Sequence, residues 1–174
     1  ADDYERALHW YGEVRRLSPN YVQMHHQVGN LHLRRAQWAA DLGFALKDAR
    51  KEKVEHLWFV GDYASYHPSS ARVSRMVALV FQAAGLSFGT LAEGEQSAGN
   101  DVRRAGEEGL FEMLAEKNMQ AMNKSQFERI VTTDPHTYHT LKHEYPRFGL
   151  NKPVYHYSEI LDEAIQQGRL NMRQ

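Results

Sequence analysis

The sequence predicts an α/β fold built on a mainly parallel sheet of four strands. Short apolar runs alternate four times with segments of helical periodicity from residue 56 onward, the pattern of parallel strands joined by right-handed crossover helices. The chain has 174 residues, of which 42% are hydrophobic and 25% charged, enough to bury one core. We therefore expect a Rossmann-like domain, with helices flanking the sheet, over residues 56–174 and a helical extension over residues 1–50.

The helical extension is predicted from the spacing of its apolar residues. Ser18-Pro19 separates an early helix, around residues 4–17, from a second helix, because the residue before proline disfavours helical geometry. Gly43 is placed to end the second helix. Its stripe, at spacings of three and four, consists of Val28, Leu31, Arg35, Trp38 and Leu42. The highly charged segment 47–55 is expected to be a solvated connection.

The strands and helices of the domain follow in order from local pattern. The strands are predicted at residues 57–60, 86–91, 129–133 and 153–157. The first helix carries Val73, Met76, Val77, Val80 and Phe81 at helical spacing, and the next carries Leu110, Phe111, Leu114 and Met122. A third helix opens at Pro135, and a fourth runs from Ser158 to about Gln167 and is closed by Gly168.

Composition excludes several classes of function. The chain has 21 Lys and Arg against 22 Asp and Glu, so no basic surface points to nucleic acid. No apolar run is long enough to span a bilayer, and we expect a cytoplasmic protein. The chain has no cysteine, which excludes disulfides, thiolate metal sites and cysteine nucleophiles. Glycine fingerprints of dinucleotide and P-loop sites are missing.

The polar loops after the strands are the expected functional edge, because ligands of parallel α/β sheets bind beyond the carboxyl ends of the strands. These loops contain Gly61-Asp62, residues 93–99, residues 134–137 and His156-Tyr157. Asp134 before Pro135 is typical of a helix N-cap. A cap can still bind a ligand, so both roles stay open for this residue.

A metal site at this edge is one hypothesis. Carboxylate and imidazole suit Zn, Mn or Fe, and the candidate ligands are Asp62, Asp134, His136 and His139. His139 and His143 lie four residues apart on one predicted helix face, but no HExxH motif is present. A surface histidine pair without a metal is the alternative.

Four stretches together resemble a known family: FVGDYASY, LAEGEQSAGNDVRRAGEEGLFEMLAEKN, IVTTDPHTYHTLKHEYPRFG and VYHYSEIL. They are similar to the first repeat of the CCG, or cysteine-rich, domain of heterodisulfide reductase-like iron-sulfur oxidoreductases. The likeness covers about residues 56–170. Scaffold residues of that family are retained, among them Glu95, Gly99, Asn118 and Tyr145.

The resemblance implies electron transfer through an iron-sulfur cluster, but every cysteine of the family's pattern is replaced. Those cluster-ligand positions hold Asp62, Ser97, Ala98, Asp134 and Thr137. Thiolates are the ligands that such clusters need, so we expect no cluster in this chain. Whether the cysteines were lost naturally or by design is left open.

Two functions of different classes remain. The first is a cluster-free CCG domain that acts as a structural or interaction module of a redox complex. The second is a redox enzyme or electron-transfer subunit that holds a divalent metal through the Asp and His residues. No catalytic residue is predicted, so enzymatic activity stays open. The expected partners are protein subunits of a redox complex or a second copy of the chain, which resembles an excised or free-standing first repeat.

Overall fold

A parallel sheet is the centre of the computed structural model, which describes residues 37–40, 42–61, 64–65 and 68–171. These residues belong to a unit that spans Arg35–Gln174. The first predicted helix and the second up to residue 36 lie outside the described residues. Where the second was expected to continue to Gly43, the structure has only a 3₁₀ turn, Gln37–Ala39. The division of the chain into residues 1–50 and 56–174 stays a prediction.

Within the described residues the sheet has five strands, all parallel, in the order β1-β3-β2-β4-β5. The strands are β1 (Lys47–Asp48), β2 (His56–Phe59), β3 (Phe88–Thr90), β4 (Arg129–Thr132) and β5 (Val154–His156). The register pairs Leu57 of β2 with Gly89 and Ile130. The α/β class, the parallel sheet and the four predicted strand positions are confirmed.

Strand β1 is an addition, and the prediction that residues 47–55 form a solvated connection is wrong. Lys47 pairs with Gly89 of β3, and Ala49 and Val54 are each only 1% exposed. The segment can lie on the domain because Asp48 is paired with Arg50, at 2.7 Å between Oδ2 and Nη2. The high density of charge in the sequence was misleading, because the charges compensate one another locally.

The helices cover both faces of the sheet. They are α1 (Pro68–Ala83), α2 (Asn100–Arg104), α3 (Glu108–Asn123), α4 (Pro135–His143) and α5 (Tyr157–Gln166). Short 3₁₀ turns occupy Gln37–Ala39, Ala92–Gly94 and Tyr145–Phe148. One apolar core lies between the sheet and α2, α3 and α4, and the other lies between the sheet and α1 and α5.

Strand β2 is buried on both faces, as expected of a central parallel strand. Leu57 and Phe59 enter the first core, and Trp58 and Val60 enter the second. The ring of Trp58 packs edge to face, with centroids 5.3 Å from Trp38 and 5.5 Å from the Phe81 ring of α1. A continuous apolar run, rather than alternation, therefore forms this strand.

The connections define where a ligand site belongs in this fold. After β2 the chain passes to α1 on one face of the sheet, and after the neighbouring β4 it passes to α4 on the other face. Adjacent strands whose helices leave to opposite faces open a crevice at their carboxyl ends. In this sheet the rule places the crevice between Gly61 and the segment that begins at Asp134.

Candidate functional site at the carboxyl edge

A buried carboxylate connects two loops of this edge. Glu95, which is 1% exposed, accepts hydrogen bonds from the backbone N–H of Gly61, at 2.8 Å, and of Val60, at 3.1 Å. These amides follow the last residue of β2 and find their acceptor in the loop after β3. Buried backbone N–H groups need an acceptor, so Glu95 fixes the end of β2 against residues 93–99.

Asn118 of α3 holds the same loop from the opposite side. Its Oδ1 accepts from the backbone N–H of Gln96 at 2.8 Å, and its Nδ2 donates to the carbonyl of Ser97 at 2.9 Å. Nδ2 also donates to the hydroxyl of Tyr145 at 2.9 Å, and that hydroxyl donates to the carbonyl of Ala98 at 3.1 Å. Asn118 and Tyr145 are completely buried. Loop 96–98 is therefore held through its backbone by two side chains.

Gly99 makes the turn from this loop into α2. Its φ is +85°, and a β-carbon placed on it would lie 2.6 Å from Cδ2 of Phe111. Its N–H donates to Oγ of Ser97 at 3.2 Å. Both the backbone conformation and the contact with the aromatic ring require glycine at this position.

Asp134 caps α4, which confirms the capping role predicted from the Asp-Pro pair. Its Oδ2 accepts from the backbone N–H of Thr137 at 2.7 Å, and Pro135 occupies the first helical position. Thr137 is buried, and its Oγ1 would lie 3.5 Å from a β-carbon built on Gly61. The N-terminus of α4 therefore approaches the end of β2.

Gly61 contacts two of the segments that carry predicted site residues. Glu95, in the loop after β3, accepts from its N–H, and Thr137, in the first turn of α4, lies beside the position that a β-carbon of Gly61 would occupy. Ser97 and Ala98 lie in the loop that begins with Glu95, and Asp134 lies three residues before Thr137. Asp62 lies outside the described residues. The structure places Thr137 beside Gly61 and links Gly61 through Glu95 to the loop of Ser97 and Ala98, and the role of the five positions as former cluster ligands stays a prediction.

The donor atoms at these positions do not fit an iron-sulfur cluster, which needs thiolates. Ala98 offers no donor atom in its side chain. The hydroxyl of Ser97 accepts from Gly99, and the carboxylate of Asp134 accepts from Thr137. The polar groups in place hold the loops rather than converge on a ligand.

The alternative metal ligands are more dispersed. His136 and His139 are exposed, and the ring of His139 lies beside that of His143, with centroids 4.7 Å apart. Among the described residues no three His, Asp or Glu side chains are grouped so that they could hold a metal ion. A metal site through Asp62, Asp134, His136 and His139 stays a prediction.

Sequence reasoning missed a charged cluster at the opposite edge of the sheet. Arg129 bonds Oε1 of Glu55 at 2.5 Å and Oε2 of Glu163 at 2.8 Å. The neighbouring His56 is 1% exposed, and its Nε2 has no hydrogen-bond partner. Burial, which disfavours the imidazolium, lowers the pKa of His56 despite the nearby carboxylate of Glu55. No motif identifies this histidine, because its position inside a strand gives no signal beyond burial.

The fold and the crevice define a parallel α/β domain whose functional loops meet at a switch point of the sheet. Residues 57–142 match the model of the CCG family, described as a cysteine-rich domain. The chain therefore belongs to the CCG family, and it does so without a single cysteine.

Longer proteins contain similar regions. The chain is 40% identical over 127 residues to the "Probable iron-sulfur-binding oxidoreductase FadF" of Bacillus subtilis, covering 72% of this chain and 18% of that protein. It is 36% identical over 141 residues to the "Probable membrane-anchored ferredoxin" of Chromohalobacter salexigens, covering 78% of this chain and 21% of that protein. It is 35% identical over 119 residues to the "EtfAB:quinone oxidoreductase" of Syntrophomonas wolfei, covering 68% of this chain and 17% of that protein.

The chain thus spans about a fifth of the length of these relatives. No solved structure matches it significantly. Among the residues that the structure describes, none of the helices combines the length and the apolar character needed to cross a membrane. The comparisons place the chain among the CCG domains of iron-sulfur oxidoreductase-like proteins.

Proposed function

We propose that this chain is a cluster-free CCG domain that serves as a structural and interaction module of a redox complex. The domain keeps the scaffold of an electron-transfer family, and its own residues supply no site for the family's cofactor. Its role is to present a folded surface to other protein subunits. The cytoplasmic location and the correspondence to the first of two repeats are parts of this proposal.

The observation that carries the proposal is the use of the polar groups around the crevice. The side chains of Glu95, Asn118 and Tyr145 form hydrogen bonds with backbone groups of the loops. The carboxylate of Asp134 accepts a hydrogen bond at the start of α4. A cluster site needs thiolates that are free to bind iron and that point toward a common centre. The polar groups present here instead stabilise the loops without any thiolate. The scaffold is thus self-supporting.

The partners are inferred from what the relatives are called. Their printed names describe an iron-sulfur-binding oxidoreductase, a membrane-anchored ferredoxin and an EtfAB:quinone oxidoreductase. These names favour a setting of electron transfer between protein subunits. Transfer through this domain itself is not part of the proposal.

The alternative function is a metal-dependent redox protein with ligands from Asp62, Asp134, His136 and His139. The observation that favours it is the adjacency of the His139 and His143 rings, which lie one helical turn apart.

Elemental analysis distinguishes the two functions. We expect protein purified under anaerobic conditions from iron-replete cells to contain no stoichiometric Fe, Zn or Mn and to show no visible absorption. A stoichiometric metal that is lost in the Asp134→Asn/His139→Asn variant would contradict the proposal and establish the alternative. Asp101→Asn, which changes an exposed aspartate at the start of α2, is the matched control.

A further inference from the structure

The face formed by α1 and α5 carries an apolar groove away from the crevice. The groove has a volume of about 280 Å³ and is lined by Arg72, Val73, Met76, Val77, Val80, Tyr157 and Leu161. Val73 and Met76 are 56% and 55% exposed. Both belong to the apolar residues that the sequence analysis placed at helical spacing in this helix, but the core takes Ala71, Val77, Ala78 and Phe81 from it.

Helix α1 is apolar on more than the face that the core covers. Its buried residues follow one helical row, and Val73, Met76 and Leu79 continue the apolar surface to the outside. On α5 the apolar surface continues through Leu161 to Ile165, which is 40% exposed. An exposed apolar surface that joins two helices is typical of a protein interface.

The two rims of the groove are the helices α1 and α5, which carry opposite charge, and of their charged residues Arg72 lines the groove itself. The sequence of α1 contains Arg72 and Arg75 and no acidic residue, whereas that of α5 contains Glu159, Asp162 and Glu163 and no basic residue. Most of these charges have partners within the domain. Arg75 donates to a backbone carbonyl, Glu159 caps its own helix, and Glu163 pairs with Arg129.

Arg72 and Asp162 are the charges left for a partner. Both side chains are exposed. Among the described residues Arg72 has no ion-pair partner, and Oδ2 of Asp162 accepts a hydrogen bond only from the side-chain amide of Gln166, at 2.7 Å. A surface with a basic rim on one side and an acidic rim on the other is complementary to itself after a two-fold rotation.

We propose that the groove is the interface of a symmetric homodimer, in which α1 of one copy packs against α5 of the other. The rotation buries Val73 and Met76 of each copy against Leu161 of the other copy. It also brings Arg72 of each copy to Asp162 of its partner, so that the charge pair occurs twice. This proposal deepens the proposed function, since it names the partner and the surface of the interaction module.

Light scattering coupled to size exclusion, across a dilution series, tests the dimer. We expect the chain to elute with twice its mass of 20.1 kDa and Met76→Lys to elute as a monomer. Met113→Lys is the matched control, because Met113 is 43% exposed on α3, which covers the opposite face of the sheet. A monomeric parent chain, or a dimer that survives Met76→Lys, would overturn the proposal.

Charge reversal tests the pairing of the rims. Arg72→Glu and Asp162→Arg should each weaken dimerisation about tenfold, because like charges then meet twice across the interface. The double variant should recover most of the loss, and failure to recover would overturn the predicted pairing. Circular dichroism confirms the fold of each variant. Metal content does not enter this measurement, so the dimer and the cluster-free function can fail separately.

Discussion

Replacing Asn118 with Ala should loosen the candidate site and lower the free energy of unfolding substantially. The substitution removes three hydrogen bonds, to the N–H of Gln96, the carbonyl of Ser97 and the hydroxyl of Tyr145. The side chain is completely buried, so water does not replace them without entering the core.

The expected magnitude follows from these contacts. Each hydrogen bond contributes about 1 kcal/mol net, and buried groups left without a partner cost about 1–3 kcal/mol. Alanine is a better helix former than asparagine by roughly 0.5 kcal/mol, which offsets part of the loss. We therefore expect a net decrease of about 2–3 kcal/mol in the free energy of unfolding.

Urea unfolding followed by circular dichroism measures this decrease. Asn123→Ala is the control, because Asn123 is an exposed residue at the end of the same helix and should change stability by no more than about 0.5 kcal/mol. Hydrogen exchange should accelerate at Gln96 before it accelerates in β2. A loss below about 1 kcal/mol for Asn118→Ala would refute the view that this side chain holds the loop.

Three further predictions concern single positions. Asp134→Ala should lower the free energy of unfolding by about 1 kcal/mol through loss of the α4 cap, while Asp134→Ser should restore most of it in the same urea titration. Gly99→Ala should destabilise the domain by about 1–3 kcal/mol because of its left-handed φ and the overpacking against Phe111, and an unchanged unfolding midpoint would contradict the clash. Burial lowers the pKa of His56 from its ordinary 6.5, so the unfolded chain binds more protons than the folded protein. The free energy of unfolding should therefore not depend on His56 above pH 6.5 and should fall as the pH drops from 6.5 to the folded pKa, and His56→Gln should flatten this dependence.

The sequence contains most of the information that forms the sheet. Residues 57–60 are apolar over the length of a strand, and residues 129–133 combine Ile130 and Val131 with β-branched threonines. Gly85 and Gly168 follow the ends of α1 and α5 closely. The Asp134-Pro135 pair predicted a helix cap, and the cap is present at 2.7 Å. These features are local, so a single sequence can reveal them.

Features that depend on contacts between residues far apart in the chain were harder to predict from the sequence. Strand β1 has only two residues, both charged, and is defined by its pairing with Gly89 and Thr90. Met76 has the spacing of a core residue, but the face it occupies has no described element above it. Glu95 and Asn118 were recognised as retained scaffold, whereas the backbone groups that they bond could be identified only once the loops were placed in space.

The direct test of the account is to restore the missing thiols. The central claim is that the crevice keeps the arrangement of a CCG site and lacks only its ligands. The test variant carries Cys at all five positions: Asp62, Ser97, Ala98, Asp134 and Thr137. Parent and variant are treated identically with iron and sulfide under anaerobic conditions, and bound iron, bound sulfide and visible absorption are measured.

The account predicts iron, sulfide and broad visible absorption in the variant and none of these in the parent. The single variant Asp134→Cys should bind much less iron and sulfide than the variant with five cysteines, because one thiolate does not hold a cluster. Equal incorporation of iron and sulfide by the parent would contradict the claim that its donor atoms do not fit a cluster. A folded variant that takes up neither would contradict the claim that the five positions converge on one crevice.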